Sequence, residues 1–156
     1  MPILSSDDVA MLRSLPISVV AAVEVEDGRC TMGEIVAGIR GIIDGAESFP
    51  GNPLVTAAFE AYKTGGVGEA ELLALCGSAP PDLATSTLDR CRRASARFAI
   101  RGEDWTGFAE WLQDLAAAVV AASTAGGLLG IGGERVTSAE SSFLAELAAA
   151  LRATAA

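Results

Sequence analysis

Residues 19–43 read VVAAVEVEDGRCTMGEIVAGIRGII. An apolar run gives way to an acidic turn, and helical spacing resumes straight after it. Residues 16–25 are almost wholly apolar until Glu24, the pattern of a helix enclosed by protein. Glu24, Glu26, Asp27 and Gly28 end it, and Gly28 supplies a permissive backbone for the turn. Thr31 and Glu34 then form a capping box, in which each side chain satisfies the other residue's exposed backbone N–H. Ile35, Val36, Ile39, Ile42 and Ile43 follow at helical spacing and are expected to face the core. Gly45 is expected to close that helix.

The layout returns at residues 119–151, VVAASTAGGLLGIGGERVTSAESSFLAELAAAL, which opens on the same four letters. Thr137 and Glu140 make a second capping box, and Phe143, Leu144, Leu147 and Leu151 form the apolar stripe behind it. Residues 126–133 are glycine-rich, but they lack the Lys-Ser/Thr pair of a phosphate loop and follow no strand. They read as a connector or a partner-docking loop.

Working outward, Ser5 and Asp8 give a helix start for residues 6–15, and Pro16 suits the first turn of the next helix. Asn52-Pro53 starts a helix that ends at Gly65-Gly66. A short helix over 69–76 and a long one over 81–100 follow. Gly102 stops the long one, and Asp104 is expected to cap a helix running to about Ala125. These segments predict an all-α, single-domain bundle of about eight helices over residues 1–156, with two related helix–turn–helix units.

A chain of 156 residues can bury roughly 70% of the surface its unfolded form exposes. It is 51% hydrophobic but only 5% aromatic, so Ala, Val, Leu and Ile must build the core. Eleven Lys and Arg stand against 20 Asp and Glu, for a net charge of −9. That field repels nucleic acid and anionic lipid and attracts cations or basic surfaces. The chain has no His, so any metal would be a hard cation on oxygen ligands, Ca²⁺ or Mg²⁺. Cys30, Cys76 and Cys91 are odd in number and form no CxxC, which reads as reduced thiols in a cytoplasmic protein. Asp7 and Asp8 stand where a signal peptide would carry positive charge. Residues 115–133 are uncharged over about the length of a membrane span, but their glycines end a helix near Ala125, so no span is expected.

The stretch AAVEVEDGRCTMGEIVAGIRGI resembles the DG-x-x-x-x-x-E helix–turn–helix signature of the tellurite-resistance TerB-like proteins. The second, glycine-rich stretch is similar to a repeat found in parts of the same superfamily. Asp27, Gly28 and Glu34 match the first motif, whereas only Glu134 and Glu140 are acidic in the second, and residues 124–127 carry none of the acids seen at 24–27. The resemblance implies a helical fold of paired units, a metal- or oxyanion-stress setting, and acidic residues that bind a divalent metal. Set against Glu34 and Glu140, the apolar stripes of the two units also differ in direction by well over a right angle.

Four features are candidates for function. Glu24, Glu26, Asp27 and Glu34 converge across one turn and form the expected metal site, although Glu34 is also a capping residue. Arg90, Arg93, Arg97 and Arg101 fall on one helical stripe, either a solvated and partly ion-paired face or a dock for an acidic partner. Trp105, Phe108 and Trp111 read as core anchors before they read as a ligand pocket. Cys30 lies beside acids that raise a thiol's pKa, so it is a poor nucleophile. The expected function is a non-enzymatic acidic helical module that binds a divalent cation weakly, docks a protein partner, or does both. A metal-assisted hydrolase and a structural, self-associating protein are the alternatives.

Overall fold

A computed structural model describes the backbone of residues 3–27, 32–65, 82–125 and 138–152, and the side chains of those residues other than 24–27, 32–35, 37, 65, 122–125 and 138–139. The described residues are all-α, with six helices and no strand. α1 (Ser6–Asp27) touches each of the other five: α2 (Met32–Glu47), α3 (Pro53–Gly65), α4 (Leu83–Phe98), α5 (Glu103–Ala125) and α6 (Ser138–Leu151). A 3₁₀ turn, Ala99–Arg101, joins α4 to α5. The helix expected over 69–76 lies outside the described residues.

The all-apolar run reads out as burial. Every residue from Ile17 to Val23 is at most 4% exposed. Ser5 and Asp8 form the expected capping box: the Ser5 N–H donates to Asp8 Oδ2 at 3.0 Å and the Asp8 N–H to Ser5 Oγ at 3.1 Å. Pro16, however, does not separate two helices. It lies inside one continuous α1. An interior proline costs about 3 kcal/mol, since it removes a hydrogen bond and crowds the preceding turn. Fully burying one Val, Leu or Ile contributes about 1.5–3 kcal/mol, and Leu12, Leu15, Ile17, Val19, Val20 and Val23 on both sides are at most 2% exposed. Burial therefore outweighs the break. Side chains also serve carbonyls in the turn before Pro16: the Ser14 hydroxyl donates to Met11 O at 2.7 Å, and the Tyr62 hydroxyl donates to Arg13 O.

Asn52 caps α3 as expected, with its Oδ1 accepting from the Leu54 and Val55 N–H groups at 3.0 and 3.1 Å. Its Nδ2 also donates to Asp104 O at 2.8 Å, tying the start of α3 to the start of α5. Gly102 ends the α4 segment with φ 58°. It also begins α5, because its carbonyl accepts the first helical bond from Thr106 N–H at 3.1 Å. Asp104 is thus a first-turn acid, not the cap, and it still complements the helix dipole there.

Of its expected stripe, α6 buries Phe143, Leu147 and Leu151, while Leu144 is half-buried at the edge of the core. Its last carbonyls are taken by neighbours: Ser95 Oγ donates to Ala150 O at 2.8 Å and Trp105 Nε1 to Leu151 O at 3.1 Å. Phe98, Trp105, Phe108 and Trp111 form a chain of ring contacts with centroids 5.4–5.9 Å apart. All four are at most 5% exposed, so the aromatic cluster is core.

α2 departs from its sequence pattern. It packs chiefly against α5, and the face it presents is glycine. A Cβ at Gly38 would lie 2.5 Å from Val20 Cγ1, one at Gly41 2.8 Å from Leu115 Cδ1, and one at Gly45 2.3 Å from Trp111 Nε1. These three glycines let α2 approach α1 and α5 more closely than side chains would permit. Gly45 therefore does not end the helix, which continues to Glu47. The expected stripe is split as a result. Ile42 is 0% exposed and Ile39 is partly buried, but Val36 and Ile43 are 46% and 38% exposed. The side chain of Ile35 lies outside the described residues.

Candidate functional site

The expected metal residues fall at one helix junction. Glu24, Glu26 and Asp27 are in the last turn of α1, and Glu34 is in the first turn of α2. Residues 28–31 and these four side chains lie outside the described residues, so the distances between the carboxylates do too. The backbone nonetheless fixes an electrostatic asymmetry. The C-terminal end of a helix carries partial negative charge, where an acid is disfavoured by roughly 0.3–1 kcal/mol. The last turn of α1 has no basic residue. Glu34, at a helix start, sits where an acid is favoured. Among the described residues, no group of three or more Asp, Glu, His or Cys is placed to hold a metal ion.

Both capping boxes are only partly in view. α2 begins directly after Thr31 and α6 directly after Thr137, as the boxes require. Thr31, Thr137 and the glycine-rich segment 126–133 are outside the described residues. Glu140, in the first turn of α6, is only 2% exposed, an acid held inside the protein.

Beyond that junction, α2 presents Val36, Ile39, Arg40, Ile43 and Asp44 along a shallow surface cleft of about 430 Å³. Arg40 and Asp44 are exposed and, among the described residues, make no ion pair. Their order explains why. Arg four residues before Asp is the weaker arrangement within one helix, and Asp44 stands in the partially negative last turn of α2. Sequence periodicity missed this face, because it counts apolar residues and treats glycine as punctuation. The signal was present in Gly38, Gly41 and Gly45, spaced three and four residues apart on the opposite side of α2.

Three arginines of the stripe, all exposed, find partners within the chain. Arg90 Nη1 donates to Ser18 Oγ at 3.1 Å, Arg93 meets Asp89 at 2.9 Å, and Arg97 meets Asp8 at 2.8 Å. Arg97 and the Ser5 N–H hold the Asp8 carboxyl down at about 2, against an ordinary 3.8. This pair fastens the start of α1 to the end of α4. The stripe is therefore a partly ion-paired face, with Arg93 and Arg97 paired to aspartates of this chain.

Two further clefts flank the core. One of about 490 Å³ is lined by Trp105, Thr106, Glu110, Gln113, Leu151 and Arg152 among others. Another of about 240 Å³ runs past Ile3, Asp8, Arg97 and Ile100. Each contains a single acid. Cys91 is fully buried, and burial pushes its thiol up to about 12, so it is inert at neutral pH. Cys30 and Cys76 lie outside the described residues. Among the described residues, no helix is long and apolar enough to cross a membrane.

Compared with known proteins, the chain matches no family model, no curated protein and no solved structure.

Proposed function

We propose that this chain is a non-enzymatic, acidic helical bundle of TerB-like type that docks a protein partner through the outward face of α2. The observation that carries this reading is the pair Val36 and Ile43, exposed on either side of half-buried Ile39, because the opposite side of α2 seats Gly38, Gly41 and Gly45 against the protein. Large apolar side chains lined up on one exposed helix face are the anchors of helix-mediated recognition. The TerB-like signature at residues 21–42 supports a cytoplasmic setting in metal- or oxyanion-stress response. A photo-crosslinking residue at position 43, introduced into the chain in its own cells, tests the docking. Crosslinks at 43 that are absent from the same substitution at exposed Thr85 of α4 are expected. Equal labelling at the two positions ends the docking reading.

A second role is supported by the helix junction. Three acids at the negative end of α1, with Glu34 across the turn, form a place that a divalent cation would neutralise. In this reading Glu24, Glu26, Asp27 and Glu34 hold Ca²⁺ or Mg²⁺ weakly. At ten times its dissociation constant a cation adds about 1.4 kcal/mol of stability, a rise in Tm of roughly 3–6 °C for a chain of this size. The expected outcome is such a rise with Ca²⁺, lost in Asp27→Asn. An unchanged Tm in the wild type at millimolar Ca²⁺ removes the site. The hydrolase alternative has less support, because it needs several acids converging in one cleft. The clefts beside Trp105, Ile43 and Ile100 hold one each: Glu110, Asp44 and Asp8.

A further inference from the structure

The face of α2 is complementary to itself. Its exposed residues include a cation, Arg40, and an anion four residues on, Asp44, beside exposed Val36 and Ile43 and half-buried Ile39; Glu47, also exposed, lies at the end of the helix. An α-helix rises about 1.5 Å per residue, so the two charges are separated by about 6 Å along the axis. In an antiparallel pair related by a two-fold axis level with position 42, Arg40 of each copy stands level with Asp44 of the other. Ile39 and Ile43 of the two copies then alternate along the seam at steps of about 3 Å. A two-fold axis lying in the seam also keeps both Arg40–Asp44 pairs on the same edge, so both form together. That is the isologous arrangement of a symmetric dimer.

From this register we propose that the occupant of the α2 face is a second copy of this chain, packed antiparallel through α2. The inference rests on the reading of α2 as a docking face. Charge selects the occupant. A uniformly acidic or basic partner would oppose either Asp44 or Arg40, whereas a second copy satisfies both, and the remaining exposed acid, Glu47, stands level with position 37 of the other copy, clear of the two pairs. The contact is small beside stable dimers, which bury about 1,200–2,000 Å² in total. Repulsion between two chains of net charge −9 also opposes it. The dimer is therefore a weak, concentration-dependent equilibrium.

Sedimentation equilibrium of the full chain from micromolar to millimolar concentration tests the proposal. Wild type is expected to show a monomer–dimer equilibrium. Ile43→Glu should raise the dissociation constant by about tenfold or more, because it puts a charge at the seam. Arg40→Asp and Asp44→Arg should each raise it about tenfold by opposing like charges. The double variant R40D/D44R keeps the wild-type net charge and restores opposite signs, so it should return to within about threefold of wild type. These positions are exposed, and circular dichroism confirms that each variant is folded. A wild type that stays monomeric throughout overturns the proposal while leaving the crosslinking at position 43 to decide the docking reading. A dimer indifferent to Ile43→Glu, or a double variant no better than the singles, overturns it as well.

Discussion

α1 and α2 are neighbours in sequence and opposites in how they bury surface. Residues 15–23 of α1 are apolar but for Ser18 and are buried throughout, so the composition of that stretch alone gives its place. α2 has a well-formed isoleucine and valine stripe, yet the side it presses into the protein is Gly38, Gly41 and Gly45, with Ile42 the one described member of the stripe fully buried beside them. The hydrophobic effect rewards area removed from water, but dispersion and packing reward close approach. In α2 the backbone-to-ring approach to Trp111 and the contact with Val20 decide the orientation. The displaced apolar residues are then left on the surface, where they are available to a partner. The helix whose pattern reads most simply thus supports the fold, and the one whose pattern misleads carries the candidate site.

The largest effects should come from filling the glycine face. Adding a methyl to a helical glycine in open space stabilises by about 1 kcal/mol. At Gly45 the added Cβ meets the rigid ring of Trp111, which is 0% exposed. Overpacking of this kind costs about 1–3 kcal/mol. Gly45→Ala is therefore expected to destabilise by up to about 2 kcal/mol and Gly45→Val by more, read from urea unfolding. Gly41→Ala provides the contrast, since it meets only the terminal Cδ1 of Leu115, which can rotate aside, and should be near neutral. A stabilised Gly45→Ala would show that α2 is not seated on its glycines, and the comparison with α1 would fail.

The same contrast marks how far the sequence could be read. Local chemistry was legible wherever it is satisfied locally. Ser5–Asp8, Asn52 and Gly102 behave as their capping and turn chemistry requires. The aromatic run at Trp105, Phe108 and Trp111 is core, as its spacing says. Asp104 failed locally, since Gly102 two residues earlier begins α5 in its place, and the other failures depend on residues far away in the chain. Pro16 stays inside α1 because helices distant in sequence enclose both flanks, and Gly45 stays inside α2 because Trp111 fits against it. The candidate site shows the same division. That Glu24, Glu26, Asp27 and Glu34 share one helix junction was legible, since it follows from adjacent elements. The apolar face of α2 was not, because its exposure is decided by what packs on the opposite side.

An intermediate effect should come from the clasp on α1. The Asp8 carboxyl sits at about 2 in the folded protein, below its ordinary 3.8, with the Arg97 hydrogen bond as the main cause. A depressed acid contributes stability that is complete above the unfolded value and is lost as pH falls through the folded one. Asp8→Ala removes a helix cap and should cost about 1 kcal/mol at pH 7. That cost should shrink between pH 3.8 and about 2. Urea titrations of wild type and variant across this range check the sign. A cost that does not change with pH would mean that the Arg97 contact contributes nothing in solution.

The smallest effect is expected at Ile43, and its smallness is informative. Its neighbour Ile42 is 0% exposed, while Ile43 is 38% exposed on the other side of the same turn. Truncating a buried isoleucine costs about 2–5 kcal/mol because it leaves a cavity. Ile43 has solvent on its outer side, so Ile43→Ala leaves no enclosed void and should fall within about 0.5 kcal/mol of wild type. The measurement belongs at low micromolar concentration, where a weak dimer has dissociated and only the folding of one chain is read. At higher concentration the substitution should begin to cost stability, because association then favours the folded wild type through a seam that the variant lacks. A large cost at every concentration would mean that something within the chain covers this face, and α2 would then bury both its glycine and its isoleucine sides.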